Sequence, residues 1–177
     1  MDLRIKKTKR AIRSAFYELI KEKPMEKITV REIAERAEIS KTTFYAHYET
    51  VYDLVDQLEQ EAVAEILKEM SGAQNLLDDP RSFVREMYTA MAHYSDDFKL
   101  IPAAAMGQFN TYLQTAILEK VQADGIDSAR YEGLGAVLVF LLSGLVGLHN
   151  ASPELTASQL DTIASFVEAG VRVLPTA

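Results

Sequence analysis

Apolar residues return at every third or fourth position along nearly the whole of this chain, and the returns are punctuated by helix-capping residues. Ile12, Phe16, Leu19 and Ile20 fall on one side of a helix with 3.6 residues per turn, predicted over residues 4–23 and stopped by Pro24. Thr29 and Glu32 form a T-x-x-E capping box ahead of a short second helix whose inner face is Val30, Ile33, Ala34 and Ala37. After a four-residue break, Ser40 is a good N-cap for a third helix from Lys41 to about His47. Thr50 and Asp53 start a long fourth helix that fades near residues 71–75. Asp79-Pro80 reads as a cap followed by proline at the first helical position, opening a helix to about Met91. Further helices are expected over residues 96–101, 103–123 and 128–149. A last one, capped by Ser152 or Thr156, runs to about Val173. No run alternates with the period of two that a half-buried strand shows. The expected fold is therefore all-α, with about nine helices. An N-terminal three-helix unit over residues 1–50 precedes a helical body over residues 51–177.

Composition narrows the chemistry. There is no cysteine among the 177 residues, which excludes disulfides, thiolate metal sites and cysteine nucleophiles and favours a reducing compartment. The first residues, MDLRIKKTKR, hold no apolar run of a signal peptide. The apolar run at residues 134–148 falls short of the roughly 20 residues a bilayer needs, and Glu132 and His149 flank it. A buried helix and a cytoplasmic protein are expected. No Ser/His/Asp arrangement, glycine-rich phosphate loop or H-E-x-x-H is present, so neither catalytic residues nor a cofactor are expected. His93 in HYSDD reads as a solvated loop residue, and no metal site is expected. Charge is split along the chain. The first fifty residues carry 12 Lys and Arg against 8 Asp and Glu, the remainder 7 against 18. A basic head on an acidic body implies that the head meets a polyanion and the body does not.

The segment ISKTTFYAHYET, residues 39–50, gives that head a shape. Two short helices joined by a tight turn make a helix-turn-helix. Ala34 is the small residue where the second crosses the first, Ile39 fills the turn, and Phe44 and Tyr48, one turn apart, face inward. Thr42, Thr43, Tyr45 and Ala46 then wrap the opposite face, with Lys41 and His47 at its flanks. Short hydroxyls and a methyl suit base edges in a major groove, while a phenol, an ammonium and backbone N–H groups suit phosphates. Tyr45 and His47 also fit ordinary surface positions.

The stretch ITVREIAERAEISKTTFYAHYETVYDLV, with the basic helix before it, resembles the DNA-binding domain of TetR-family transcriptional regulators. The resemblance covers roughly residues 8–55, and beyond them only helical pattern and length agree. It implies a DNA interface in which Thr29 caps the second helix against phosphate and Ser40 stands at the start of the third. Lys41, Thr42 and Thr43 face bases or phosphates, and Tyr45 and His47 hold the backbone. Two positions depart from the family. The turn usually carries glycine where this chain has Glu38, and the fourth helix often starts with a lysine where this chain has Val51. If position 38 needs a left-handed backbone, a non-glycine residue there costs about 1–2 kcal/mol.

A single helix-turn-helix makes few contacts, so such proteins read two half-sites as a pair. The apolar helix also has more than one side to cover. Both point to a homodimer. Gly133, Ala136, Gly144 and Gly147 would let two backbones approach, and the resemblance implies a four-helix bundle built from the last two helices of each subunit. Leu155, Leu160, Ile163, Phe166, Val167 and Val171 are the last helix's apolar contribution. The resemblance also implies a small-molecule effector held among the middle helices, with Tyr88, Met91, Met106, Phe109, Tyr112 and Phe140 as candidate lining residues. Aromatics and methionines at this spacing are more often plain core. Two functions stay open. One is a homodimeric repressor released from a palindromic double-stranded operator by its effector. The other is a TetR-like co-regulator that acts mainly through a protein partner and binds DNA weakly.

Overall fold

The computed structural model describes residues 3–72, 74–93, 108–125, 131, 133–151 and 154–174. The described residues form nine α-helices, one 3-10 turn and no β-strand: α1 (Leu3–Glu22), the 3-10 turn Met25–Lys27, α2 (Val30–Arg36), α3 (Lys41–Tyr45), α4 (Val51–Glu69), α5 (Asn75–Asp78), α6 (Pro80–His93), α7 (Phe109–Ala123), α8 (Leu134–Ala151) and α9 (Ala157–Arg172). They divide into two compact units. One is built within Met1–Glu59; the other takes in Gln60–Ser95 and Gly107–Ala177.

In the first unit, α1 packs on α2 and α2 on α3. Ile12, Phe16 and Leu19 of α1 meet a core completed by Ile33, Ala34, Phe44, Tyr48, Leu54 and Val55, all buried. Each large side chain enclosed here contributes about 1.5–3 kcal/mol. The ends of the elements follow from local chemistry. Thr29 Oγ1 accepts the Glu32 N–H at 3.3 Å and Glu32 Oε2 accepts the Thr29 N–H at 3.0 Å, closing the capping box. Glu32 also takes a hydrogen bond from Lys23. Lys23 first, then the Thr29 hydroxyl and N–H, hold its carboxyl well down, to about 2. Arg36 reaches back to Glu22 at 2.5 Å, so α2 is pinned to the end of α1 at two places. At the start of α4 the caps are offset: Thr50 Oγ1 accepts from the Asp53 N–H at 3.0 Å, but Asp53 returns to the N–H of Glu49 at 2.8 Å, one residue before the N-cap.

The turn between α2 and α3 carries the one non-glycine residue at positive φ among those described, Glu38 at 54°. The Ile39 N–H reaches the Ala34 carbonyl at 2.9 Å and the Glu38 N–H the Glu35 carbonyl at 3.3 Å. These are the two bonds of a Schellman ending, whose first residue beyond the cap sits in the left-handed region. The geometry requires the conformation that glycine takes freely, and this chain adopts it with a glutamate.

In the second unit α6 is the hub, in contact with α5, α8 and α9, while α7 packs on α8. Asp79 Oδ1 accepts the Ser82 N–H at 3.1 Å, capping α6 directly before Pro80. Thr156 and Gln159 make a second capping box at α9. Arg81 bonds to Ser165 and pairs with Glu168 at 3.2 Å, and Arg85 pairs with Asp161. These contacts turn the polar side of α9 toward α6. The apolar helix expected over residues 128–149 begins later, at Leu134, because Gly133 has φ +86° and cannot be part of a right-handed helix. The four-residue α5 was not expected. The helix expected over residues 96–101, the first residues of the one expected from 103, and the Ser152 cap lie outside the described residues.

Candidate nucleic-acid interface

α3 is only five residues long, too short to hold its shape alone. It is fixed at both ends and from beneath. Ser40 Oγ accepts the Thr43 N–H at 3.0 Å and lies 2.8 Å from Thr43 Oγ1. Phe44 is fully buried and stacks obliquely on Tyr48 at 5.6 Å. With that anchor, Lys41, Thr42, Tyr45 and Ala46 are exposed, and Thr43 and His47 are half-buried beside them. Tyr45 is 55% exposed. The structure thus brings Lys41, Thr42, Thr43, Tyr45 and His47 onto one accessible surface. The Ser40 and Thr29 hydroxyls serve the caps expected of them, and Thr29 Oγ1 also donates to Glu32 Oε2 at 2.8 Å.

The first turns of α1 complete one side of the face. Arg4, Ile5 and Thr8 line a groove of about 300 Å³ together with Thr42, Thr43, Ala46 and His47. Lys6, Lys7 and Arg10 are exposed on the same helix, whereas Lys23 and Arg36 are held by glutamates. The head's positive charge is therefore offered at the start of α1, beside α3. The charge run in MDLRIKKTKR hinted at this, but its nearness to α3 is a long-range contact no local pattern encodes. Tyr52, 63% exposed in the first turn of α4, is a further phenol that sequence reading passed over. Val51, where the family often has lysine, is buried and belongs to the core.

The candidates in the second unit separate. Tyr88, Met91 and Phe109 are buried; the Tyr88 hydroxyl accepts the Leu155 N–H at 2.9 Å, and its ring lies edge-on to His149 at 6.2 Å. Tyr112 is half-buried in a groove of about 380 Å³ between α4 and α7, with Val63, Leu67, Thr115 and Glu119. Phe140 does not join them. It is 70% exposed, on the outer side of α8. Met106 lies outside the described residues.

That outer side is mostly apolar. α8 buries Leu134, Leu138, Leu141, Leu142, Leu145, Val146 and His149 and leaves out Gly135, Ala136, Val139, Phe140, Gly144, Gly147 and Leu148, with Ser143 and, at its end, Asn150 and Ala151. A Cβ added at Gly133, Gly144 or Gly147 would meet nothing within 4 Å. A groove of about 370 Å³ runs from Phe140 and Gly144 to Ile163, Phe166 and Val167 of α9, and Phe166 is 67% exposed. Leu160 is half-buried nearby in sequence, and Gly133 and Ala136 are exposed at the start of the helix. By length and composition α8 is the one helix among those described that could cross a membrane, with mean hydropathy 1.8. Its buried side belongs to the core of the unit.

Residues 12–58 match the profile of the family described as bacterial regulatory proteins, tetR family. In fold, the chain is similar to a TetR-family transcriptional regulator from Haemophilus influenzae, with TM-score 0.62 and 14% identity over 98% of this chain and 99% of that one. It is similar to the fatty acid degradation regulator FadR from Bacillus halodurans, with TM-score 0.56 and 14% identity over 93% and 94%. A third is the dihydroxyacetone kinase operon activator DhaS, with TM-score 0.55 and 17% identity over 96% and 98%. No curated protein matches the chain in sequence. At these identities the likeness to the solved structures is one of fold.

Proposed function

Because this chain belongs to the tetR family of bacterial regulatory proteins, we propose that it is a cytoplasmic homodimeric repressor, released from a palindromic operator by a small-molecule effector. The observation that carries the reading is the face of α3. A five-residue helix is capped, anchored by Phe44, and presents Lys41, Thr42, Thr43, Tyr45 and His47 beside the exposed lysines of α1. Thr42 and Thr43 read base edges; Lys41, Tyr45 and His47 hold phosphates. Residues 1–50 form the DNA-binding domain and residues 51–177 the dimerisation and effector domain. Two copies meet through the outer side of α8 and the Ile163–Val167 stretch of α9, and Phe140 belongs to that contact rather than to an effector site. Tyr88, Met91, Phe109 and Tyr112 remain the effector candidates.

An effector that binds the DNA-free arrangement more tightly weakens DNA binding by the factor by which DNA weakens its own binding. The lever is α4, which begins in the head and ends in the second unit. A tilt of α4 changes the spacing of the two reading helices, which must match about 34–36 Å on the duplex. The reading is tested by titrating a fluorescent duplex of the region upstream of the protein's own coding sequence, with a scrambled duplex as control. Preference for the upstream duplex by at least about a thousandfold is expected of a specific regulator. Equal, weak binding to both favours a co-regulator that acts through a protein partner.

A further inference from the structure

Lys9 stands in the basic run that opens the chain, among cations suited to phosphate. Its neighbours give it another task. The side chain is half-buried. Its Nζ donates to Gln57 Oε1 at 3.3 Å and lies 5.4 Å from the centre of the Tyr48 ring. Gln57 donates in turn to Asp53 Oδ1 at 3.3 Å, and the other oxygen of Asp53 takes the Glu49 N–H at the start of α4. On the other side, the Tyr48 ring packs against Phe44, the anchor of α3. One ammonium on α1 therefore touches α4 through an amide and a carboxylate, and α3 through two rings.

We propose, resting on the DNA-binding reading above, that Lys9 is a positioning residue that sets the pose of α3 against the start of α4 without itself touching DNA. A partly desolvated ammonium is compensated here by an amide oxygen and by the negative face of an aromatic ring. A phosphate would have to draw it away from both. A cation held inward also displaces no counterion when DNA binds, so it adds nothing to the salt dependence of affinity.

That difference supplies the test. Duplexes enriched by the wild-type protein from a random-sequence pool, and scrambled versions of them, are titrated by fluorescence anisotropy across about 50–200 mM KCl. The proteins are full-length wild type, Lys9→Met, Lys9→Arg and Lys7→Met. Lys9→Met keeps the apolar stem and removes the charge. It is expected to lose about five- to tenfold on the enriched duplex, to hold its affinity for the scrambled one, and to keep the wild-type salt slope. Lys9→Arg, which can still reach the amide and stack on the ring, restores most of the loss. Lys7→Met, on an exposed cation, weakens both duplexes and flattens the slope by about 0.9. Should Lys9→Met behave like Lys7→Met, Lys9 is a phosphate ligand and the proposal is overturned; unchanged affinities throughout overturn it equally. A wild-type protein that enriches no duplex counts against the DNA-binding reading instead. The strut is then judged by NMR on the free protein. The Lys9 ammonium lies over the Tyr48 ring, so the adjoining ε-methylene protons should resonate upfield of those of the other lysines, and an ordinary position would overturn the contact.

Discussion

The outward faces of α3 and α8 are each left uncovered by their own unit, yet they are built from opposite materials. α3 is five residues long, polar outside, and fastened by a serine cap and one buried phenylalanine. α8 has 18 residues, and its outer side is a mostly apolar strip of glycines, alanine, valine, leucine and an exposed phenylalanine interrupted by Ser143. Leaving hydroxyls and a phenol in water costs little. Leaving a contiguous hydrocarbon strip in water forgoes about 25 cal/mol for each Å² that could be covered, and such patches mark contact sites. The first face is thus suited to a wet, charged partner. The second is suited to a dry one whose own strip matches, which a second copy provides by symmetry.

Substitutions can break this contrast. The largest effect is expected for Gly144→Arg on α8. An unpaired charge in a dry seam costs about 3–5 kcal/mol, enough to convert a dimer to monomer at micromolar concentration, as read by light scattering. A Cβ added at this position meets nothing within 4 Å in its own subunit, so circular dichroism should show the helices intact. A Gly144→Arg protein that remains dimeric would remove α8 from the interface. Next is Thr42→Ala on α3, expected to cost about 1–3 kcal/mol on the preferred duplex and little on a scrambled one. Tyr45→Phe should instead weaken both duplexes alike if its hydroxyl holds a phosphate. Equal anisotropy curves for wild type and both variants would displace α3 as the reading element.

Among the described residues, one buried carboxylate sharpens the contrast between polar groups left outside and inside. Glu59 of α4 is 1% exposed, and its Oε1 has no hydrogen-bond partner among the described residues. Burial first, then the nearby Asp56, pushes its carboxyl up from 4.5 to about 7. The folded state holds this proton more tightly than the unfolded chain does. The contribution is therefore complete below about pH 4.5 and is lost as pH rises through 7. Urea denaturation should show about 3 kcal/mol less stability from this source across that window, and Glu59→Gln should flatten that slope. The smallest effect concerns the turn that aims α3. Glu38→Gly relieves a left-handed residue and should raise thermal stability by about 1–2 kcal/mol; a lower melting temperature would mean that the glutamate side chain outweighs the strain.

The same contrast explains what could be read from the amino-acid order. Around α3 the instructions are local: Thr29 with Glu32, Ser40 before Lys41, and Phe44 one turn from Tyr48 specify caps and anchors within a few residues. The left-handed residue at position 38 follows from the sequence only as a condition, through the family's usual glycine there; the backbone angle itself comes from the structure. α8 carries no such phase. When nearly every residue is apolar, periodicity cannot tell the inner side from the outer, so Phe140 was placed with the effector candidates though it points outward. The start of α8 was set six residues early because the backbone angle at Gly133 leaves no trace in hydropathy. The contacts of Lys9 and of the Arg4–Thr8 wall of the α3 groove could not be read from the basic run for a third reason. Their partners, Gln57, Tyr48 and Thr42, are more than thirty residues away, and only tertiary packing brings them together.

Both faces are examined at once by selecting duplexes from a random-sequence pool with the full-length protein. If α3 reads bases and α8 pairs two copies, the enriched sequences should contain an inverted repeat with half-site centres about 10 base pairs apart, or a multiple of that, bound by an even number of subunits. An enriched pool with one unrepeated half-site, or no enrichment over the starting pool, would contradict the account.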